Sequence, residues 1–233
     1  MTQVRAVVFD FDGLLMDTES TSIESWATEW EQWGVTLDPD TFFVPHGGDV
    51  TEHRYQSLAA AVGDSFDRTL SHDRRTTQRN ELNAALPLSA GIESWLNEAA
   101  QHGLTVAVAS SSPVAWVTRH LAQVGALDRF DLIAGGNEVS AHKPSPDVYQ
   151  LALERLGVDP TDAIAVEDTP HGVDAAHTAG LACVAIPNPY VDPARVAHAD
   201  LVLSSARDCT LIDAIEGSTS RFTERSTEPG PSL

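Results

Sequence analysis

Two aspartates stand two residues apart at the end of an apolar stretch near the N-terminus. The sequence VVFDFDGLLMDTES covers residues 7–20, and its apolar start leads into Asp10 and Asp12. Residues two apart on an extended chain point to the same side, so both carboxylates are expected to face one place. Such a pair suits two roles, one residue as a nucleophile and the other as a general acid/base. Gly13 then lets the chain turn away without a Cβ atom.

Polar residues also follow three later apolar stretches that predict strands. Three serines occupy residues 110–112, Lys143 follows the third strand, and Glu167 and Asp168 end the fourth. Taken singly, each group also fits a turn or a helix N-cap. If the strands are parallel neighbours, however, all of these side chains converge at one edge of the sheet. Their occurrence together, each at a strand end, favours a functional site.

The expected collection of charges predicts a metal ion. Four carboxylates and one lysine are not stable together in a dry pocket, because each unpaired buried charge costs several kcal/mol. Mg²⁺ takes oxygen ligands from one or two carboxylates and shares itself with a substrate phosphate. The sequence therefore predicts Mg²⁺ as the cofactor, held between protein carboxylates and a phosphate group.

Lys143 stands out because it is the single lysine of the chain, which has fourteen Lys and Arg residues in all. A position that keeps lysine where arginine is otherwise used indicates a need for a compact ammonium group. The alternative interpretation is that this lysine has no special role.

The order of the elements predicts the fold class. One strand at 4–10 is followed by helical patterns near 50–62 and 66–85, without a second strand, and then by strands and helices in alternation from residue 87. Continuous apolar strands in such a series are typical of an α/β fold, a Rossmann-like, doubly wound parallel sheet with helices on both faces.

We therefore predict an α/β core at 1–16 and 87–215, an inserted all-helical cap at 17–86, and a disordered tail at 216–233. An insertion directly after the first strand starts at the carboxyl edge of the sheet, where open α/β sheets bind ligands. The cap is thus expected to act as a lid that sets specificity.

Composition excludes several other classes of protein. A chain of 233 residues that is 42% hydrophobic can build one core and a smaller domain. A net charge of -20 argues against nucleic-acid binding. No long apolar run predicts a membrane span, and the N-terminus does not resemble a secretory signal. Cys183 and Cys209 do not suggest a disulfide framework, so a cytoplasmic protein is expected. The high net charge favours a monomer.

The four motifs resemble those of the haloacid dehalogenase superfamily of phosphotransferases. DFDGLLMDTES is similar to its first motif, VASSS to its second, HKPSPD to its third and VEDTPHGVDAAHTAG to its fourth. The resemblance extends to about residue 210. It is closest to the branch with a helical cap after the first motif, which includes β-phosphoglucomutase and phosphatases of phosphoglycolate and sugar phosphates.

This resemblance implies roles for the two aspartates. Asp10 would attack phosphorus and form an aspartyl-phosphate. Asp12 would protonate the leaving oxygen and then activate the water that resolves the intermediate. Dehalogenases of the superfamily carry tyrosine at the position of Asp12, so the aspartate favours phosphoryl transfer.

The resemblance also implies binding roles at the other strand ends. Ser110, with Ser111 beside it, and Lys143 would bind the transferring phosphoryl group. The implied Mg²⁺ ligands are the carboxylates of Asp10, Glu167 and Asp168 and the backbone carbonyl of Asp12.

Two departures from the mutase pattern favour a phosphatase. Ser22 stands where the mutase has a cap-hinge histidine, and the loop VPHGGDVTEHR lacks an arginine at the expected place, with Arg54 a few residues further on. Cap residues that we expect to contact substrate are Thr18, Ser22, His46 and Arg54. The alternatives are a phosphomutase and a non-catalytic protein of the same fold that binds a phosphorylated metabolite.

Overall fold

The computed structural model describes residues 4–37 and 51–227. The chain forms two compact units, one of Met1–Asp17 with Pro87–Leu233 and one of Thr18–Leu86. The described strands are β1 Ala6–Phe9, β2 Thr105–Ser110, β3 Leu132–Gly135, β4 Ala163–Glu167, β5 Ala182–Ala185 and β6 Leu201–Val202. The described α-helices are α1 Thr18–Gln32, α2 Thr51–Val62, α3 Arg68–Ala84, α4 Ile92–Gln101, α5 Val114–Gln123, α6 Asp147–Leu156, α7 Pro170–Thr178 and α8 Leu211–Thr227.

The first unit contains a six-stranded parallel sheet in the order β3-β2-β1-β4-β5-β6. Every residue of β1 is buried, as its continuous apolar sequence predicts for a central parallel strand. The predicted α/β fold class with a parallel sheet is confirmed. The strand that carries Asp10 lies in the middle of the sheet, between β2 and β4.

Strand register sets which polar residues are neighbours. Phe9 of β1 pairs with Val108 of β2 and with Val166 of β4. One residue later, the backbone N–H of Asp10 donates to the carbonyl of Val166 at 2.9 Å. Asp10 and Glu167 therefore lie side by side at the ends of adjacent strands. This is the convergence at one edge that parallel strands predict.

Helices cover both faces of this sheet. Ala6 and Val8 belong to the buried cluster that includes Tyr149 of α6 and Val173 of α7. Because side chains alternate along a strand, the intervening Val7 and Phe9 point to the opposite face. Helices α4 and α8 contact each other, and α8 packs on β4, β5 and β6.

The second unit is helical in the residues that the structure describes. Helix α1 packs against α3, and the ring of Trp26 lies 4.6 Å from that of Tyr55. Asp67 caps α3 by accepting hydrogen bonds from the backbone N–H groups of Thr69 and Leu70, both at 2.9 Å. The helical patterns predicted at 50–62 and 66–85 are confirmed by α2 and α3. A lid function for this unit remains a prediction.

The expectation of a disordered tail at 216–233 is wrong for residues 216–227, which continue helix α8. The polar, serine- and threonine-rich composition concealed one buried stripe, in which Leu211, Ala214 and Ser218 are fully buried. Near the end of the helix, Arg225 Nη2 lies 3.3 Å from Asp200 Oδ1. Residues 228–233 lie outside the described part of the chain.

Among the described helices, none combines the length and the apolar character that crossing a membrane requires.

Helix α8 can be tested by truncating its buried face. We expect Leu211→Ala to lower the free energy of unfolding by about 2–4 kcal/mol, because it opens a cavity where a fully buried side chain packs. The matched control, Arg221→Ala, alters an exposed position of the same helix and should cost less than about 0.5 kcal/mol. Urea titrations followed by circular dichroism measure both changes. If neither Leu211→Ala nor Arg221→Ala changes the free energy of unfolding, helix α8 does not pack on the sheet.

Candidate active site

Lys143 lies at the centre of the charged residues at the carboxyl edge of the sheet. Its Nζ atom donates to Asp10 Oδ1 at 2.5 Å, to Glu167 Oε1 at 2.6 Å and to the carbonyl of Ala109 at 2.8 Å. An ammonium has three donors, and these bonds use all three. Burial lowers the pKa of Lys143, but the two carboxylates outweigh it and raise the pKa above its ordinary value, so the group stays charged.

Asp10 lies at the end of β1 with only 7% of its surface exposed. Burial raises the pKa of Asp10 to about 8, with further contributions from the charges of Glu167 and Asp12, while Lys143 opposes the shift. Burial is the largest cause, so the shift reflects the cost of an ionised carboxylate in a site shielded from water. A bound cation would favour the ionised form of Asp10.

The geometry fits a divalent cation. Asp10, Glu167 and Asp168 each offer one carboxylate oxygen, and these three atoms lie within 4.8 Å of one another. All three residues are buried, and carboxylate oxygens are the ligands that Mg²⁺ prefers. The side chain of Asp12 is not part of this cluster, and a contribution from its backbone carbonyl stays a prediction.

Glu167 is fixed by contacts on both of its oxygens. Oε1 accepts from the hydroxyl of Tyr149 at 2.6 Å as well as from Lys143, and Oε2 accepts from the backbone N–H of Asp168 at 3.1 Å. A Cβ atom at Gly172 would lie 1.8 Å from Glu167 Oε2, so the carboxylate lies directly against the first turn of α7. Tyr149 was not among the predicted site residues, because a tyrosine within a helix gives no signal of a role at a strand end.

Asp168 is held by Asn188 and by the backbone turn at Gly13. Asn188 Nδ2 donates to Asp168 Oδ2 at 2.7 Å, and Asn188 is itself 7% exposed. Gly13 has φ +83°, and a Cβ atom there would lie 2.2 Å from Asp168 Oδ2. The absence of a side chain at Gly13 thus makes room for a carboxylate as well as permitting the turn. Asn188 follows β5 in a proline-rich loop that gave no signal in the sequence.

The carboxylate of Asp12 points toward β2 and α5. Its Oδ2 accepts from Ser112 Oγ at 2.6 Å, and its Oδ1 accepts from Trp116 Nε1 at 3.1 Å. Neither donor was among the predicted site residues. Ser112 is the third serine of the second motif, and Trp116 lies in the first turn of the helix that follows it.

The two serines that were predicted to bind phosphate have different environments. Ser110 is 1% exposed; its Oγ lies 3.5 Å from Asp12 Oδ2 and accepts from the backbone N–H of Ser112 at 3.0 Å. Ser111 is exposed, and its carbonyl lies against Gly136, where a Cβ atom would approach within 2.0 Å. Phosphate binding by Ser110 and Ser111 stays a prediction.

The predicted substrate contacts of the cap belong to the second unit. Thr18 is buried at the start of α1, and the carbonyl of Ser22 accepts from Ser25 Oγ at 2.7 Å. Arg54 lies on α2, with its guanidinium 6.0 Å from the centre of the Trp26 ring. His46 lies outside the described residues.

Residues 7–186 match the family described as "Haloacid dehalogenase-like hydrolase". This range contains all four motifs and most of the chain. The protein belongs to this family. The predicted superfamily is thereby confirmed.

Several proteins of known name are similar to this chain. YhcW of Bacillus subtilis (strain 168) is 35% identical over 188 residues, which cover 79% of this chain and 84% of that protein. Fructose-1-phosphate phosphatase YqaB of Escherichia coli (strain K12) is 29% identical over 76% of this chain and 94% of its own. A crystal structure of CbbY from Rhodobacter sphaeroides with phosphate has a TM-score of 0.70 at 30% identity, covering 88% of this chain and 96% of that chain. With relatives named as phosphatases, the predicted enzyme class, a phosphoric monoester hydrolase, is confirmed.

Asn188 provides a test of the proposed cation site that does not depend on turnover. We expect Asn188→Ala to weaken Mg²⁺ binding by about 10-fold, because Asp168 loses the donor that orients its carboxylate. Isothermal titration calorimetry with MgCl₂ measures this directly. Asn97→Ala is the matched control, since Asn97 is an exposed asparagine whose Oδ1 accepts from Arg129 at 2.9 Å. Unchanged Mg²⁺ affinity in both variants would contradict the assignment of Asp168 as a ligand.

Proposed function

We propose that this protein is a Mg²⁺-dependent phosphatase that hydrolyses a small phosphorylated metabolite, a sugar phosphate, through an aspartyl-phosphate on Asp10. The observation that carries the proposal is the position of Lys143 Nζ, 2.5 Å from Asp10 Oδ1, beside a buried three-carboxylate cluster. The proposed nucleophile, a fixed positive charge and the proposed cation ligands thus lie together at the ends of adjacent strands.

The reaction consists of two displacements at phosphorus. In the first, a carboxylate oxygen of Asp10 forms a bond to phosphorus while the bond to the sugar oxygen breaks, and Asp12 gives that oxygen a proton. In the second, Asp12 takes a proton from water as the water oxygen attacks phosphorus and releases Asp10. Each aspartate finishes the cycle in the protonation state in which it began.

Charge neutralisation is the main requirement of such a transfer, since the phosphoryl group is itself anionic. Lys143 supplies one fixed positive charge that is already oriented by three hydrogen bonds before substrate arrives. Bound Mg²⁺ would offset the charge of the carboxylates and of the phosphoryl oxygens. Asp10, Glu167 and Asp168, with the backbone carbonyl of Asp12, are the residues that we expect to hold it.

Three observations support a sugar phosphate as the substrate and hydrolysis as the outcome. YqaB is named as a fructose-1-phosphate phosphatase, and a further CbbY crystal structure contains xylulose-(1,5)bisphosphate at 29% identity to this chain. Ser22 occupies the place of the mutase histidine, so the chain lacks the residue that controls the general acid in a mutase. The cap residues Thr18, Ser22, His46 and Arg54 remain our candidates for contacts to the sugar.

The proposal is tested by phosphate release from a panel of sugar phosphates and phosphoglycolate, with MgCl₂ or with EDTA. We expect metal-dependent release by the wild type and a loss of at least about 10³-fold in kcat for Asp10→Asn, because the amide is a poor nucleophile. Circular dichroism should show that the variant remains folded.

β-Glucose 1-phosphate should be assayed in parallel for glucose 6-phosphate. Isomer appearing faster than free phosphate would establish a mutase instead. Activity of Asp10→Asn near that of the wild type would exclude the aspartyl-phosphate mechanism, and inertness toward every ester would favour a binding protein.

A further inference from the structure

Donors of different chemical character contact the two oxygens of the Asp12 carboxylate; Ser110 Oγ also lies 3.5 Å from Oδ2. The indole N–H of Trp116 reaches Oδ1 at 3.1 Å and the hydroxyl of Ser112 reaches Oδ2 at 2.6 Å. A hydroxyl can donate or accept a hydrogen bond, whereas an indole N–H can only donate. The two oxygens of Asp12 are therefore not equivalent. A proton on Oδ2 can be accommodated by Ser112, but a proton on Oδ1 would face another hydrogen.

Trp116 is itself fixed in place. Its ring centroid lies 4.1 Å from that of His120, one turn along α5, with an angle of 48° between the planes. His120 is 1% exposed, its Nδ1 lies 2.8 Å from the carbonyl of Trp116, and its ring also packs 6.1 Å from that of Phe11. Because Phe11 lies between Asp10 and Asp12 in the chain, this contact ties the indole to the segment that carries both aspartates.

We infer that Trp116 is a positioning residue for proton transfer: it holds Asp12 Oδ1, so that Oδ2, beside Ser112, is the oxygen that carries and delivers the proton. This inference rests on the proposed phosphatase function, in which Asp12 is the general acid/base. Trp116 does not exchange a proton itself. It fixes the orientation of the carboxylate.

The proton and electron movements balance in both steps. As the bond from phosphorus to the sugar oxygen breaks, its electron pair stays on that oxygen, which takes the proton from Asp12 Oδ2. Ser112 Oγ, which lies 2.6 Å from Oδ2, then donates to the ionised carboxylate. In the second step, Oδ2 takes a proton from the attacking water, and Ser112 turns to accept.

A comparison of leaving groups separates this role from a purely structural one. General-acid catalysis matters for a strongly basic leaving group, such as a sugar alkoxide, and little for p-nitrophenolate, which departs without a proton. The quantity to measure is kcat/KM, because it includes the steps up to departure of the leaving group and excludes the water step that all substrates share.

We expect Trp116→Phe, which keeps an aromatic ring but removes the N–H, to lower kcat/KM for the best sugar phosphate by about 10- to 100-fold. With p-nitrophenyl phosphate, kcat/KM should change by less than about 3-fold. Trp95→Phe is the matched control, because it removes another indole N–H, which donates to the carbonyl of Cys209 at 3.0 Å in the same unit. For Trp95→Phe, the ratio of kcat/KM with the sugar phosphate to kcat/KM with p-nitrophenyl phosphate should equal the ratio of the wild type.

Parallel losses with both substrates, or a change confined to KM, would overturn the role of Trp116 while leaving the phosphatase proposal intact. A wild type that hydrolyses neither ester would overturn both. If Trp116→Phe does not fold, Trp116→Leu gives the same comparison, since it also lacks a donor, and equal losses with both substrates would again contradict the inference.

Discussion

The three hydrogen bonds of the Lys143 ammonium are the interaction on which the site depends. They link the ends of β1, β2 and β4 through Asp10, the carbonyl of Ala109 and Glu167. Without this charge, two buried carboxylates on adjacent strands would repel each other in a region from which water is excluded. An arginine could not replace the ammonium easily, because a planar guanidinium does not direct three donors at three atoms packed around one point. The geometry of these three bonds therefore favours lysine over arginine at position 143.

Much of this arrangement could be predicted from the sequence, because parallel strands make strand ends converge. The apolar run of β1 predicts that Asp10 lies at the carboxyl edge of the sheet. The similar run of β4 predicts the same position for Glu167 and Asp168. Because each motif follows one strand of a parallel sheet, the charged residues of the motifs are expected to lie close together. The helices of the second unit were predictable for a different reason, since their apolar periodicity depends on residues close together in the chain.

The contacts that orient the site were not predictable, because they depend on side chains whose signals are weak or ambiguous. Ser112 was one of three serines, and only the turn after β2 decides which hydroxyl reaches Asp12. In the sequence, Trp116 is one of several tryptophans in helical patterns and has no sign of a role in the site. Asn188 lies in a loop that matches no motif. Helix α8 was missed because its buried stripe includes small and polar residues such as Ala214 and Ser218, which composition does not distinguish from a solvated tail.

The central claim, that Asp10 accepts the phosphoryl group, is tested most directly by trapping the intermediate. The Asp12→Asn protein would be mixed with p-nitrophenyl phosphate and MgCl₂, quenched, reduced with borohydride and digested for peptide mass spectrometry. This variant lacks the base for the water step, so the intermediate should accumulate. Our account predicts homoserine at position 10, with one p-nitrophenol released per protein, and neither product in the presence of EDTA. Homoserine at a position other than 10 would contradict it. So would a wild-type protein that turns over substrate while no aspartate is converted to homoserine in the trapping experiment.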